Sequence, residues 1–325
     1  MIMRITNGMT NRNFNYNLHK NLTRMNKIDN QLNTGKEINK ISDDPAKASK
    51  IMRLKTDIAK NAQYNKNIVD ATNHLDVTDK ALEQANDGLQ KMRELLVSAG
   101  NATYGSDERA ALKEEISQLV NKMGDILNTT FDGKYIFGGE RIDQKPVEIS
   151  KDPISGNIKL DYNGKNGQQI TQVELDQIKH PLEMEISSGV KIDYGVNAIQ
   201  MLEFKDKDGN DINLMESFGE ILQNLDATDE TAYKKLITKN LEQIDNALQN
   251  ISNIRGQIGS KQNRMEDALE RNEEEKFNIK EILSSIEDID FAEKTIDYVT
   301  AMTMYTASLQ ASSKIMQPSL IDYLR

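Results

Sequence analysis

The chain has no cysteine, no tryptophan, three histidines and five prolines among 325 residues. Without cysteine there is no disulfide, thiolate metal site or thiol nucleophile, and the chain suits a reducing or an oxidising compartment alike. Aromatic residues make up 5% and apolar residues 37%, against 28% charged; that balance disfavours one thick core and suits long solvated helices. No run approaches the ~18 apolar residues that span a bilayer, so membrane insertion is not expected. The opening Met1-Ile2-Met3-Arg4-Ile5-Thr6 lacks the basic and apolar segments of a secretory signal peptide. A net charge of −10 argues against a general hold on phosphate backbones, which needs clustered Lys and Arg, so nucleic acid is not an expected partner.

What the chain does have is heptad order. Ile68, Leu75, Leu82, Leu89 and Leu96 fall seven apart, with Ala71, Thr78, Ala85, Met92 and Ala99 three further on, which is a coiled-coil seam. Traced back to Pro45 and on to about Ser98, this helix would be roughly 80 Å long. A second helix follows "GSDERAALKEE", capped at Ser106 or Asp107, with Leu112, Ile116, Leu119, Met123 and Ile126 on one face, and ends near Asn128. From Thr129 to about Leu214, short β-branched and aromatic runs alternate with "DG", "GG", "SG" and "NG", which predicts strands and turns. After Asp229 the heptad returns as Ile237, Ile244, Ile251, Ile258, Met265, Asn272, Ile279 and Ile286, with Leu241, Leu248, Leu269 and Leu283 as companions. Arg255, Gln262, Lys276 and Asp290 interrupt the companion row, predicting a looser seam or fixed register, and Asp288 to Asp290 predicts a joint.

The layout is nearly mirror-symmetric, so antiparallel pairing of the two halves follows. The expected fold is mainly α: an elongated antiparallel long-helix coiled-coil rod formed by the N- and C-terminal halves, with a small β-rich domain inserted centrally. The divisions are terminal helices at 1–41 and 290–325, rod segments at 42–130 and 215–289, and the β-rich segment at 131–214. At the N-terminal end, Phe14, Leu18, Leu22, Met25, Ile28 and Leu32 lie at helical spacing before Gly35, which can take the left-handed position past a helix end. Ten of the first forty residues are Asn, so this helix should depend on a partner surface. At the other end Phe291, Ile296, Val299, Met302, Leu309, Met316 and Leu320 form a second amphipathic segment. Both are expected to fold on assembly, and together they are the candidate assembly interface; Met302, Met304 and Met316 suit a surface that repacks against neighbours.

Candidate chemistry is sparse. In "SDDPA", Asp44 can cap a helix with Pro45 at its first position while Asp43 faces the positive end of the helix dipole; no pocket or second polarised group makes Asp43 and Asp44 a catalytic pair. "DKDGNDINLMES" misplaces the glycine and final glutamate of a calcium loop, leaving a hairpin turn at Asp208-Gly209. "GQIGSK" lacks phosphate-loop spacing, and its glycines are expected to permit close helix packing. His19, His74 and His180 form no i, i+4 pair and are expected to be solvated or to face a partner. No catalytic, cofactor or metal site is expected.

Two longer stretches carry a resemblance. "LNTGKEINKISDDPAKASKIMRLKTDI" (32–58) resembles the N-terminal signature of bacterial flagellins and their relatives, and "IRGQIGSKQNRMEDALERN" (254–272) resembles the C-terminal one. "MRIT" (3–6), "QYNKNI" (63–68), "FDGKYIFGG" (131–139), "DIDFAEKTIDYV" (288–299) and "LQASSKIMQPSLIDYL" (309–324) are similar to the hook-associated protein 3 branch of that superfamily. The resemblance implies a structural subunit of the flagellar axis between hook and filament, located on the flagellum outside the cell. It implies hook-associated protein 1, flagellin and a ring of like subunits as neighbours, and passage through the flagellar export apparatus with a cytoplasmic chaperone on the C-terminal end. It also implies terminal helices in an inner tube, with the long helices around them. Filament flagellin shares "LNTG", "SDDPA" and "QNR" but not "KYIFGG" or "SLIDYL", and the heptads alone would equally suit a cytoplasmic coiled-coil adaptor.

Overall fold

The chain was studied as a computed structural model, which describes residues 7–100, 106–152, 156–164, 170–206, 209–227 and 230–315. Helix α1 (Asn7–Thr34) is followed by the long α2 (Pro45–Ala99) and by α3 (Ser106–Leu127). Next come β1 (Thr130–Phe131), β2 (Lys134–Tyr135), β3 (Val147–Lys151), β4 (Ile158–Tyr162), α4 (Gln172–Lys179), β5 (Glu183–Ser187), β6 (Val190–Asp193) and α5 (Ala198–Leu202). The chain continues with β7 (Glu203–Lys205), β8 (Asp211–Asn213), α6 (Leu214–Asp226), α7 (Glu230–Lys235), a π-helical turn (Leu236–Asn240), α8 (Leu241–Glu287) and α9 (Phe291–Ile315). By packing, the chain divides into one unit of Met1–Ala62 with Glu274–Arg325 and a second of Gln63–Glu273. These limits fall inside α2 and α8.

In the second unit the seam forms as the heptads require. Ile68, Leu75, Leu82, Leu89 and Leu96 are all buried, as are Ala71, Thr78, Ala85, Met92 and Ala99, and each buried Leu or Ile contributes about 1.5–3 kcal/mol. From α8, Ile244, Ile251, Ile258 and Met265 enter the same core. Its companion row differs from expectation: Ala247, Ile254 and Ala268 are buried, whereas Leu241, Leu248 and Leu269 are only partly buried. Ile237, expected on the main row, is exposed, because the π-helical turn breaks the 3.6-residue phase just before α8.

Two of the predicted interruptions of the α8 row, Arg255 and Gln262, are partners for α2. Arg255 meets Asp79 with two hydrogen bonds of 2.8 and 3.1 Å, Gln262 donates to Asp76 at 2.7 Å, and Arg93 meets Asp245 at 2.6 Å. Residue numbers rise on one helix as they fall on the other, so α2 and α8 are antiparallel here. Two of the predicted packing features are absent: a side chain at Gly256 or Gly259 would meet nothing within 4 Å, so these glycines do not mediate a close helix contact.

Among the described residues the strands form four separate antiparallel two-stranded ribbons, β1–β2, β3–β4, β5–β6 and β7–β8, and no wider sheet. At the β1–β2 tip Asp132 and Gly133 both take positive φ, 51° and 74°, the geometry that tight hairpins prefer. Asp208 of the predicted turn lies outside the described residues; the strands that flank it, β7 and β8, pair antiparallel, and Gly209 has φ +86°. Ribbons and helices share one core, in which Phe137, Val147, Leu160, Ile186 and Ile192 join the α2 and α8 seam. The β5–β6 ribbon is fastened by consecutive carbonyls: Asn67 donates to that of Glu185 at 2.9 Å and Asn272 to that of Ile186 at 2.8 Å. The buried Asn272 thus interrupts the seam in order to hold a strand.

His19 and His180 are exposed, as expected. His74 is not solvated: its ring packs edge-on against Tyr194, with centroids 5.1 Å apart, and against Phe131 at 6.2 Å. Burial lowers its pKa to about 4. Among the described residues no helix is long and apolar enough to cross a membrane, and no three His, Cys, Asp or Glu side chains cluster as metal ligands would.

Candidate assembly surface

The first unit is built from α1, α9, the start of α2 and the end of α8. α1 and α9 pack along each other in opposite directions. At one end the Phe291 ring lies 3.6 Å from where a side chain on Gly35 would begin, and farther along Asn21 donates to Ser308 at 3.5 Å. The predicted α1 row goes into this hairpin: Ile28 is buried, at 6% exposure, and Phe14, Leu18, Leu22, Met25 and Leu32 are half-buried. α9 answers with small and amphipathic residues at alternating spacings of three and four. Ala301 and Ser312 are buried, and Tyr298, Tyr305 and Ser308 are half-buried.

The predicted α9 residues point elsewhere. Ile296, Val299, Met302 and Leu309 are exposed, at 68%, 57%, 51% and 42%, together with Phe291 and Met304. Met316 and Leu320 lie outside the described residues. An exposed apolar face of this extent is unusual on a free monomer. Its threonine hydroxyls are bonded within the helix. Thr295, Thr300 and Thr303 donate their hydroxyls to the carbonyls of Phe291, Ile296 and Val299, four residues back, at 2.6–2.8 Å. Ser308 donates likewise to the carbonyl of Met304, and Thr306 and Ser313 donate to those of Thr303 and Gln310, three residues back. These hydroxyls can therefore be buried without leaving an unpaired donor.

Where the α1–α9 hairpin meets α2 and α8, two connectors lie side by side. Gly35 has φ +70°, the left-handed conformation that ends α1, and its amide donates to the carbonyl of Gln31 at 2.8 Å. Its own carbonyl accepts the amide of Ile289 at 3.2 Å, and the Glu37 amide donates to the Glu287 carbonyl at 2.7 Å. Lys36 and Asp288 face each other as an antiparallel bridge. The helices that leave this joint begin alike. One Asp44 oxygen accepts the amides of Ala46 and Lys47, both at 3.0 Å, and one Asp290 oxygen accepts those of Ala292 and Glu293 at 2.8 and 3.2 Å. Pro45 is the first residue of α2. Asp43, expected to act on the helix dipole, instead closes the preceding turn by accepting the Lys40 amide at 3.0 Å, with Lys27 at 3.6 Å. Those two contacts, the amide first, hold its carboxyl below the usual range.

Three charged groups at the joint were not singled out in the sequence. Glu287 is buried, its carboxylate meeting Lys55 at 2.7 Å and Lys36 at 3.7 Å. Lys36 also meets Asp288 at 2.6 Å, a hydrogen bond that lowers the pKa of Asp288 and raises that of Lys36. Gln31, buried on α1, donates to the Glu37 carbonyl at 2.7 Å. The predicted break at Asp288–Asp290 and the Gly35–Pro45 connector are thus two strands of one structure. Main-chain hydrogen bonds, capping carboxylates and ion pairs hold it together.

Comparison with known proteins agrees with this architecture. The model of the bacterial flagellin N-terminal helical region matches residues 5–141, and that of the bacterial flagellin C-terminal helical region matches residues 241–324. Flagellar hook-associated protein 3 of Escherichia coli strain K12 is 26% identical over 304 residues, covering 91% of this chain and 92% of the relative. The crystal structure of flagellar hook-associated protein-3 from Legionella pneumophila shares the fold with TM-score 0.60 at 15% identity, over 73% of this chain and 98% of that one. The flagellar junction protein of Legionella pneumophila does so with TM-score 0.53 at 16% identity, over 75% of this chain and all of that one. With both terminal models matched in order and the intervening fold shared, the chain belongs to the bacterial flagellin family.

Proposed function

We propose that this chain is the structural subunit of the bacterial flagellum that joins hook to filament, and that it assembles through the α1–α9 hairpin. One observation carries the reading: α1 turns its apolar row into the hairpin, burying Ile28 and half-burying the rest, while α9 leaves Ile296, Val299, Met302 and Leu309 uncovered, with the Thr300 and Thr303 hydroxyls bonded internally. Such a face gains little in the free monomer and becomes favourable when a like helix covers it. Its neighbours would be hook-associated protein 1 on one side, the first flagellins on the other and copies of itself around the ring. Export through the flagellar apparatus with a chaperone on the C-terminal end belongs to the same reading. No catalytic role is part of this reading.

Deletion of the gene tests it. The expected result is hooks without filaments and flagellin released into the medium, reversed by the intact gene. Normal filaments in the deletion strain would overturn the reading. The two family models also describe filament flagellin, and long homopolymers formed by the purified chain alone would favour that assignment. Recovery from the cytosol only, with none on sheared flagella, would favour an adaptor.

A further inference from the structure

The methionines differ sharply in what can reach their sulfur. Met92, Met123, Met201 and Met265 are buried, and the Met265 sulfur accepts the Thr72 hydroxyl at 3.7 Å. On α9, Met302 and Met304 are each 51% exposed, and Met9 and Met52 are exposed as well. A thioether is oxidised where a soluble oxidant can approach its sulfur, and the product, a sulfoxide, is polar where the parent side chain is apolar. Exposure therefore divides the methionines into a protected set and a reactive one.

Within the reactive set, Met302 is singled out by its neighbours. It lies three residues after Val299 and seven before Leu309, both exposed, so the three share one row along the helix. Met304, equally exposed but two residues on, falls off that row. The threonine hydroxyls beside Met302 are committed: Thr300 and Thr303 donate to the carbonyls of Ile296 and Val299 at 2.8 Å, and Thr306 to that of Thr303 at 2.9 Å. An oxygen added to the Met302 sulfur is hydrated while the face is open. Against a covering apolar surface the same oxygen becomes a desolvated acceptor that its neighbour cannot satisfy.

We infer that Met302 is an oxidation site through which hydrogen peroxide disables the α9 face of the free chain. The sulfur lone pair attacks one peroxide oxygen; the S–O bond forms as the O–O bond breaks, and the departing hydroxide takes the proton of the transferred oxygen to leave as water. The thioether loses two electrons to become a sulfoxide, and the peroxide gains them. The selectivity rests on exposure alone, whereas the consequence rests on the reading of α9 as the assembly face. On that reading a chain is sensitive before assembly and shielded after it.

The test has a chemical arm and a functional arm. The purified full chain is treated with hydrogen peroxide and followed by peptide mass spectrometry; sulfoxide at Met302 is expected to form at least tenfold faster than at Met92, Met123, Met201 or Met265. Oxidation of Met302 no faster than that of Met265 would overturn the proposal. In the functional arm, the deletion strain is complemented with the parent gene, Met302→Gln, Met302→Leu or Met304→Gln, the glutamine standing in for the polar sulfoxide. Met302→Gln is expected to lower the number of filaments per cell at least fivefold while the purified variant melts as the parent does, and Met302→Leu and Met304→Gln should match the parent. During growth in sublethal peroxide the Met302→Leu strain should keep at least twice the filaments of the parent. Parent-like filaments with Met302→Gln, or equal loss in peroxide with and without Met302→Leu, would overturn the proposal. A deletion strain that builds normal filaments would overturn the assembly reading, and the consequence with it, before any Met302 variant is compared.

Discussion

Asp44 and Asp290 act identically on the two sides of one joint: each offers a single carboxylate oxygen to two successive amides at the start of a long helix, α2 for the first and α9 for the second. Both helices would otherwise begin with unpaired N–H groups. Asp44→Ala and Asp290→Ala are each expected to lower the stability of the first unit by about 1 kcal/mol. Denaturant titration followed by hydrogen exchange at residues 45–62 and 291–305 would register it. Asn at either position should restore most of the loss, because its side-chain oxygen accepts the same bonds.

Glu287 is the buried charge of the joint, and its two lysines reach it from more exposed positions. Lys55→Met removes the closer cation at 2.7 Å and leaves a carboxylate facing the more distant Lys36. A loss of about 1–2 kcal/mol is expected, the cost of an imperfectly paired buried acceptor. The double variant Lys55→Met with Glu287→Met should recover part of that loss, since no lone charge remains. Urea titrations of the parent, both single variants and the double variant give the coupling directly.

The joint was legible in outline because its signals are local. A glycine past a helix end, an Asp before a Pro and a break in a heptad are each read within a few residues. Glu287, Lys36 and Lys55 were not legible, since their meaning arises only when residues more than two hundred positions apart are brought together. The same divide runs through the second unit. The α2 rows were readable because large side chains repeat there. The α8 companion row was misassigned because Ala247 and Ala268 are small and give little signal beside Leu248 and Leu269. Arg255 and Gln262 read as gaps in a seam until Asp79 and Asp76 appear opposite them. The short α4 and α5, of eight and five residues, are too brief for periodicity to show.

His74 makes the second unit sensitive to acid. In the fold its pKa is lowered to about 4 by burial, against 6.5 ordinarily. Between these values the unfolded chain holds the proton and the folded chain does not, so stability falls as pH falls from 6.5 to 4 and this contribution levels off below 4. The full difference corresponds to about 3 kcal/mol. Asp70, Asp132 and Lys134 line the same groove as His74 and remain in the comparison. His74→Phe is therefore expected to flatten the pH dependence over this window relative to the parent, leaving the general carboxylate titration in both. Stability curves at half-unit pH intervals check it; parallel curves for the two proteins would show that His74 carries no proton linkage.

Ile28 and Leu309 separate folding from assembly, because the fold places one inside the hairpin and the other outside it. Ile28 is 6% exposed and Leu309 42%. Ile28→Asp sets a carboxylate against α9 in the monomer itself and is expected to destabilise the first unit by at least about 2 kcal/mol. Leu309→Asp adds a charge that water solvates in the monomer, so melting should change by less than about 0.5 kcal/mol. In the assembled state the same carboxylate would be buried against an apolar neighbour, which is costly without a partner charge. The expected outcome is an exported, folded Leu309→Asp monomer that fails to support filaments, in contrast to an Ile28→Asp chain already loosened before assembly. Melting of the purified proteins, together with motility and electron microscopy of complemented cells, distinguishes the two. Full motility with Leu309→Asp would remove the α9 face from the assembly surface.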